Sequence, residues 1–330
     1  MLEIKTVDEV GAEKIDAFIM DDNTNGEFIS TWKYLSYHKG RFLEDSIVVL
    51  EKESQFIRGV MMASVDVDHQ KIISHAGTTF AGPVISKKTE IALKEEILDK
   101  MFSYYEEKYQ RIELKLIPPC YTFHPYQEID YFLLKRGFSY GITALANVIH
   151  ISQICTMEDV LTLCNSRRRN QIKKTVLEDL FQLKEKELDK SVWEHMNQNL
   201  QRKYQSHTTH TFDEINELAN KFPDQIRAFY METREGEYGA FALVYCFKNV
   251  FHTQYLDLNY RFSKQMPNLM LISKLILKAR ELGYSYFSFG ASTEDSGNIL
   301  NYSLFRYKAE YGGGSILLPL YTKDLSESVR

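Results

Sequence analysis

Apolar and polar positions along the chain change period several times, from a repeat of two to a repeat near four and back. Residues 46–51, 59–67 and 112–117 read as strands, and residues 8–20 and 88–109 as helices. Within 88–109, Ile91, Leu98 and Phe102 fall on neighbouring turns, which predicts a helix laid over a sheet. The strand 112–117 stops at Pro118-Pro119, where missing N–H groups end a ladder. In the second half, helices are predicted at 192–204 and 211–221, and strands at 226–233, 239–247 and 250–258. A helix over 269–282 then closes at Gly283, a usual C-terminal stop.

The halves repeat one plan. A strand at 111–117, a Pro/Tyr-rich loop, a helix at 130–135, Gly137 and a strand at 142–149 form the first version. A strand at 284–289, a Gly/Ser-rich loop, a helix at 304–309, the glycines 312–314 and a strand at 316–321 form the second. An offset of roughly 175 residues is too long for a solenoid and implies two copies of one domain. The expected division is 1–149 and 150–330, with the first domain receiving the strand 315–323. Helices alternating with mostly antiparallel strands make the fold class α/β (α+β), two tandem domains of sheets covered by helices. Such sheets bind ligands in loops at the ends of buried strands. Function is therefore expected in those loops and in the cleft between the copies.

Composition narrows the function classes. The 330 residues are 44% hydrophobic and 26% charged, as in ordinary globular proteins. A net charge of −5 argues against a DNA binder driven by counterion release. The four cysteines show no CxxC pair, and His207 and His210 lack further ligands at useful spacing, so no metal is expected. The amino terminus is too acidic for a signal peptide, and no 18-residue apolar run exists to cross a membrane. A soluble, cytoplasmic protein is the expectation.

The segment Ser166-Arg-Arg-Arg-Asn-Gln-Ile-Lys-Lys carries unusual charge. Ile172, Val176 and Leu180 recur at four-residue steps, which predicts a helix starting near Ser166 as N-cap. Arg167, Arg168 and Arg169 then sit in the first turn, where the helix dipole opposes cations. Free N–H groups beside guanidinium groups suit a phosphate or pyrophosphate, with Arg168, Arg169 and Lys173 as ligands. The alternative is a continuous helix from Met157 whose charges are solvated.

Several motifs in order carry a family likeness. They are Thr78-Thr-Phe-Ala-Gly, Ile117-Pro-Pro-Cys-Tyr through Glu128-Ile-Asp, the 166–174 segment, Phe287-Ser-Phe-Gly-Ala-Ser-Thr-Glu-Asp-Ser-Gly and Leu304-Phe-Arg-Tyr-Lys-Ala-Glu-Tyr-Gly. Together they resemble the FemAB-like branch of the GNAT acyltransferases over nearly the whole chain. The resemblance implies two GNAT folds and transfer of an acyl or aminoacyl group onto an amine. Fem peptidyltransferases draw it from aminoacyl-tRNA to build peptidoglycan cross-bridges. Relatives coded beside surface-polysaccharide genes are expected to acylate amino sugars from acyl-CoA. Two departures stand out. The place of the glycine-rich CoA loop is taken by residues 261–268, which contain no glycine, leaving Lys264 and the amides at Asn268 to hold phosphate. The short 204–211 connection has no room for the helical arm of some Fem enzymes.

Site candidates follow. Alternation along 250–258 places His252 and Gln254 on one face and Thr253 and Tyr255 on the other. His252 as base and Tyr255 as acid to the leaving group are alternatives, and His252 also reads as a histidine satisfied at the core edge. Glu294 can orient or deprotonate an amine, or be a solvated loop carboxylate. Asn301 can bond a sugar or peptide carbonyl, and Lys308 an anionic substrate unless it lies on the helix surface. Tyr121, His124 and Glu128 flank Pro125 and are expected to line the acceptor half. The reading is an N-acyltransferase with acyl-CoA as co-substrate, acting on an amine of a small-molecule or lipid-linked sugar of the cell envelope. Its alternatives are an aminoacyl-tRNA-dependent Fem-type enzyme and a non-catalytic module binding a glycan or nucleotide sugar.

Overall fold

The computed structural model describes residues 1–325. They form two compact units, one of Met1–Leu145, Thr293–Ile299 and Leu317 onward, the other of Ala146–Ser292 and Leu300–Ile316.

In the first unit, Leu2–Thr6, Ile47–Glu51, Ile57–Met61 and Pro83–Ile85 make an antiparallel sheet in that order. A second set of strands runs Gly314–Asp324, Arg111–Leu114, Lys71–Ile73, Ser64–Asp66 and Leu43–Glu44. The strand expected over 59–67 is therefore two strands that join different partners. Helix Ile91–Glu106 buries Ile97, Leu98, Met101, Phe102 and Tyr105. It approaches the first sheet at Gly59, where a Cβ would lie 2.7 Å from both Ile97 Cγ2 and Met101 Cε, so a larger residue would push the helix away. The helix expected over 8–20 breaks at Gly11, whose φ of 95° ends Val7–Val10 before Ala12–Met20 begins.

In the second unit, Gln182–Glu185, Ile226–Glu232, Tyr238–Cys246 and Val250–Leu258 pair antiparallel in sequence order. Tyr286–Ala291 follows in parallel, and residues 146–150 of strand Ser139–His150 close the edge antiparallel to it. Helix Pro267–Glu281 buries Leu271, Ile272, Leu275, Ile276 and Ala279 in a core shared with Ala240, Ala242, Val244, Phe251 and Phe287. Trp193, on helix Lys190–Tyr204, packs edge-on to Tyr255.

The duplication is legible in the elements. Arg111 and Tyr286, Gln127 and Tyr302, and Ser139 and Gly314 each begin equivalent elements 175 positions apart. The final strand of each copy is exchanged. Residues 146–150 of the first copy pair with Tyr286–Ala291 in the second unit, and 321–324 of the second copy pair with Arg111–Leu114 in the first unit. Neither unit is a contiguous stretch of chain: the boundary falls at 145/146 where 149/150 was expected, and the first unit takes the C-terminal strand from Leu317 where 315–323 was expected.

The basic segment forms helix Ser166–Glu178 with Asn165, not Ser166, as N-cap: its Oδ1 accepts from the Arg168 N–H at 2.8 Å. Helix Met157–Leu163 is separate, because Cys164 is extended. The arginines thus occupy a true first turn. Of the expected apolar stripe only Ile172 is buried, while Val176 and Leu180 are exposed.

Candidate active site

The most unusual geometry in the second unit lies between its two parallel strands. Their ladder joins Val250, Phe251 and His252 to Tyr286, Phe287 and Ser288 and then ends. Strand Val250–Leu258 continues beside Tyr238–Cys246, while Tyr286–Ala291 continues beside 146–150. Among the described residues no strand pairs with the facing edges beyond Ser288. The parting is spanned near its start by Thr253 Oγ1, which donates to Ser288 O at 3.1 Å.

A β-bulge sits on the same strand. His252 pairs with Tyr245 and Thr253 with Val244, but Tyr255 pairs with Leu243, leaving Gln254 as the extra residue. The expected alternation is overturned: Tyr255 turns to the His252 face, while Leu256 returns to the core that holds Phe251. Tyr255 OH meets His210 Nδ1 at 2.8 Å, and burial raises its pKa, so it is a phenol engaged in packing.

Where the strands part, the structure brings together His252 and Lys308. His252 Nδ1 lies 3.1 Å from Ser288 Oγ, and its ring edge is 3.0 Å from where a Cβ on Gly290 would be. Burial and the nearby Lys308 charge push the imidazole down to about 3, so it is neutral. An imidazole held this far below its ordinary range is a poor acceptor for an ammonium proton, so it is a weak base. Lys308 is only 6% exposed. Its Nζ donates to Gly290 O at 3.1 Å and to Ala291 O at 2.5 Å, leaving one N–H of three. Burial pushes it down to about 8. The surface-lysine alternative does not hold.

The other candidates are placed as follows. Arg168 is buried, with Nη2 donating to Glu310 Oε2 at 2.6 Å and its guanidinium over the Tyr307 ring. Arg169 donates to Leu161 O and Cys164 O, satisfying the end of the preceding helix. Lys173 is exposed, with Glu158 at 4.0 Å, and Lys264 is exposed with no partner among the described residues. The 261–268 turn manages without glycine because Met266 adopts φ 51°, and helix Pro267–Glu281 starts there. Asn301 is an N-cap, accepting from the Leu304 N–H at 3.0 Å. Glu294 is an exposed carboxylate in the first unit. The acceptor candidates also lie in that unit: Tyr121 is buried against Phe80, His124 meets Lys87, and Glu128 pairs with Lys94 at 2.5 Å.

Sequence reasoning missed a titratable cluster around Asp257. Its Oδ1 accepts from Asn199 Nδ2 at 2.9 Å, and His195 Nδ1 lies 3.3 Å from Oδ2, beside the Tyr238 hydroxyl. No short-range signal links positions 58 and 62 apart. No helix among the described residues is long and apolar enough to cross a membrane.

Residues 166–309 match the family model described as an acetyltransferase (GNAT) domain. Comparison with curated proteins finds no match. Among solved structures the chain is similar to FemX, at TM-score 0.70 and 12% identity over 98% of this chain and 97% of that one. It is similar to L-PGS from Bacillus licheniformis, at TM-score 0.56 and 12% identity over 95% and 91%. A tandem GNAT protein from the clavulanic acid biosynthesis pathway gives TM-score 0.53 and 9% identity over 99% and 100%. At these identities the likeness is one of fold. The fold is that of the GNAT-type acyltransferases, carried twice in one chain. Residues 166–309 match that domain model, and the chain as a whole is similar in fold to FemX.

Proposed function

We propose that the second unit is an N-acyltransferase, moving an acyl group from acyl-CoA to an amine of a small-molecule or lipid-linked sugar. The observation that carries this reading is the parting of two parallel strands beside a buried ammonium. An open strand edge binds extended chains through backbone N–H and C=O groups. The amide-bearing arm of a coenzyme thioester can add to the edge of 253–258 as a strand would. An aminoacyl-tRNA ester has no such arm, which places it second. The acceptor class follows the FemAB-like likeness.

In the reaction the neutral amine attacks the thioester carbon, forming a C–N bond as the carbonyl pair moves to oxygen. In this reading the remaining N–H of Lys308 donates to that developing charge, in a water-poor setting where such a donor has most effect. Collapse breaks the C–S bond, the thiolate takes a proton from solvent, and the new ammonium gives its proton to solvent. No covalent enzyme species is needed. His252 holds Ser288 as a neutral ring rather than serving as the base.

The test incubates the full chain with acetyl-CoA or a charged tRNA mixture, each with a panel of nucleotide-linked amino sugars. Thiol release that depends on an amino sugar supports the proposal. Consumption of aminoacyl-tRNA alone selects the Fem-type reading, and consumption of neither leaves the binding-module reading.

A further inference from the structure

The second unit also contains a basic cavity of about 300 Å³ that acyl transfer at the parted strands does not use. Arg167, Arg168 and Gln171 form one wall from the first turns of helix Ser166–Glu178. Ser303, Arg306 and Glu310 form the other, on and just after helix Tyr302–Ala309. Three guanidinium groups face one carboxylate. Arg167 and Arg306 are exposed at the rim, and among the described residues neither side chain has a hydrogen-bond or ion-pair partner.

Arg168 is the floor. It is 4% exposed, lies 4.7 and 4.8 Å from the Tyr307 and Tyr311 ring centres, and gives Nη2 to Glu310. Its Nε is buried with no partner. Burying a charged donor that nothing accepts is unfavourable, as is gathering cations at a helix start whose dipole repels them. An anion seated in the cavity would offset both. Planar guanidinium forks match phosphate oxygens in pairs, and the volume is at the lower end for small-molecule sites.

We propose that this cavity binds the phosphate groups of a phosphorylated small molecule, such as a nucleoside diphosphate. Binding requires no turnover, so the proposal stands or falls apart from the transfer reaction.

Isothermal titration of the full chain with inorganic pyrophosphate and with ADP tests it. Three proteins are compared: wild type, Arg167→Ala/Arg306→Ala, and Lys173→Ala, with thermal melts establishing that each is folded. The expected result is binding by the wild type and by Lys173→Ala, weakened at least tenfold, or about 1.4 kcal/mol, in the double variant. Binding that the double variant retains in full would overturn the proposal. So would equal weakening by Lys173→Ala, which marks diffuse charge, or binding of RNA without binding of either small probe.

Discussion

The two units open their sheets at the same place and fill the opening differently. Each has a parallel ladder of three residue pairs, 71–73 with 111–113 in the first and 250–252 with 286–288 in the second. In the first unit the chain then turns at His75, φ 52°, and returns along the strand. The Ser74 N–H donates to Glu113 O at 2.9 Å, the Lys115 N–H to Ser74 Oγ at 2.8 Å, and the Ala81 N–H to Lys115 O at 2.7 Å. Protein plugs that opening. In the second unit strand Val250–Leu258 continues past the end of the ladder through its bulge, and no described strand fills the opening. The equivalent helices differ as well: 175 positions before Lys308 stands Leu133, 0% exposed. One copy packs an apolar side chain where the other keeps an ammonium. The lesson is that duplication supplies two frames, and the charged, unplugged one is suited to chemistry.

The largest effect is expected of Lys308→Met. Turnover is expected to fall roughly 100- to 1,000-fold, about 3–4 kcal/mol in the barrier, as when an oxyanion donor is lost. Wild-type turnover in a folded Lys308→Met protein would end the role given to that residue. The reverse change, Leu133→Lys, is expected to add no activity and to lower the melting temperature, since it buries an unpaired charge.

Strand exchange comes next. A fragment beginning at Ile151 lacks 146–150, so one edge of Tyr286–Ala291 loses its antiparallel partner. It is expected to melt without a cooperative transition, and a fragment beginning at Ala146 to melt more sharply. Equal melting of both by calorimetry would count against an integral exchanged strand.

The pH dependence is a smaller effect with two signs. Lys308, at about 8 in the fold, should lose its role as pH rises through 8, and Lys308→Arg should move that decline upward. For stability, the unfolded lysine holds its proton more tightly between about 8 and 10.5, so this group makes the fold more stable as pH rises across that window. His252 falls from 6.5 to about 3, so its contribution is present above 6.5 and lost as pH drops toward 3. His252→Gln should flatten that acid loss by a few kcal/mol in urea titrations at stepped pH.

In the plugged opening, Ala81→Pro deletes the N–H given to Lys115 O and should cost about 1–3 kcal/mol of stability while sparing turnover. The smallest effect is expected of Tyr255→Phe, about 1 kcal/mol for the lost bond to His210. A hundredfold drop in its turnover would return Tyr255 to the reaction.

Local patterns carried the element order, because hydrophobic period and Gly/Pro stops report on neighbours within a turn or two. The basic helix start, the long helix at Ile91–Glu106 and the 175-residue repeat were all readable that way. The bulge at Gln254 was not, since it depends on register with Tyr238–Cys246, and it reversed the face of Tyr255. Nor was the occupation of Arg168 by Glu310, 142 positions away. Lys308 looked like a surface residue because helix Tyr302–Ala309 has a weak apolar face, and only the carbonyls of Gly290 and Ala291 explain its burial.

Hydrogen–deuterium exchange of the full chain, with and without a non-cleavable acyl-CoA thioether, addresses the central contrast most directly. The expected result is slowed exchange at 253–258 and 288–291, with 74–81 and 111–116 unchanged. Slowing confined to the first unit, or ligand binding that leaves both strand edges exchanging as before, would contradict the account.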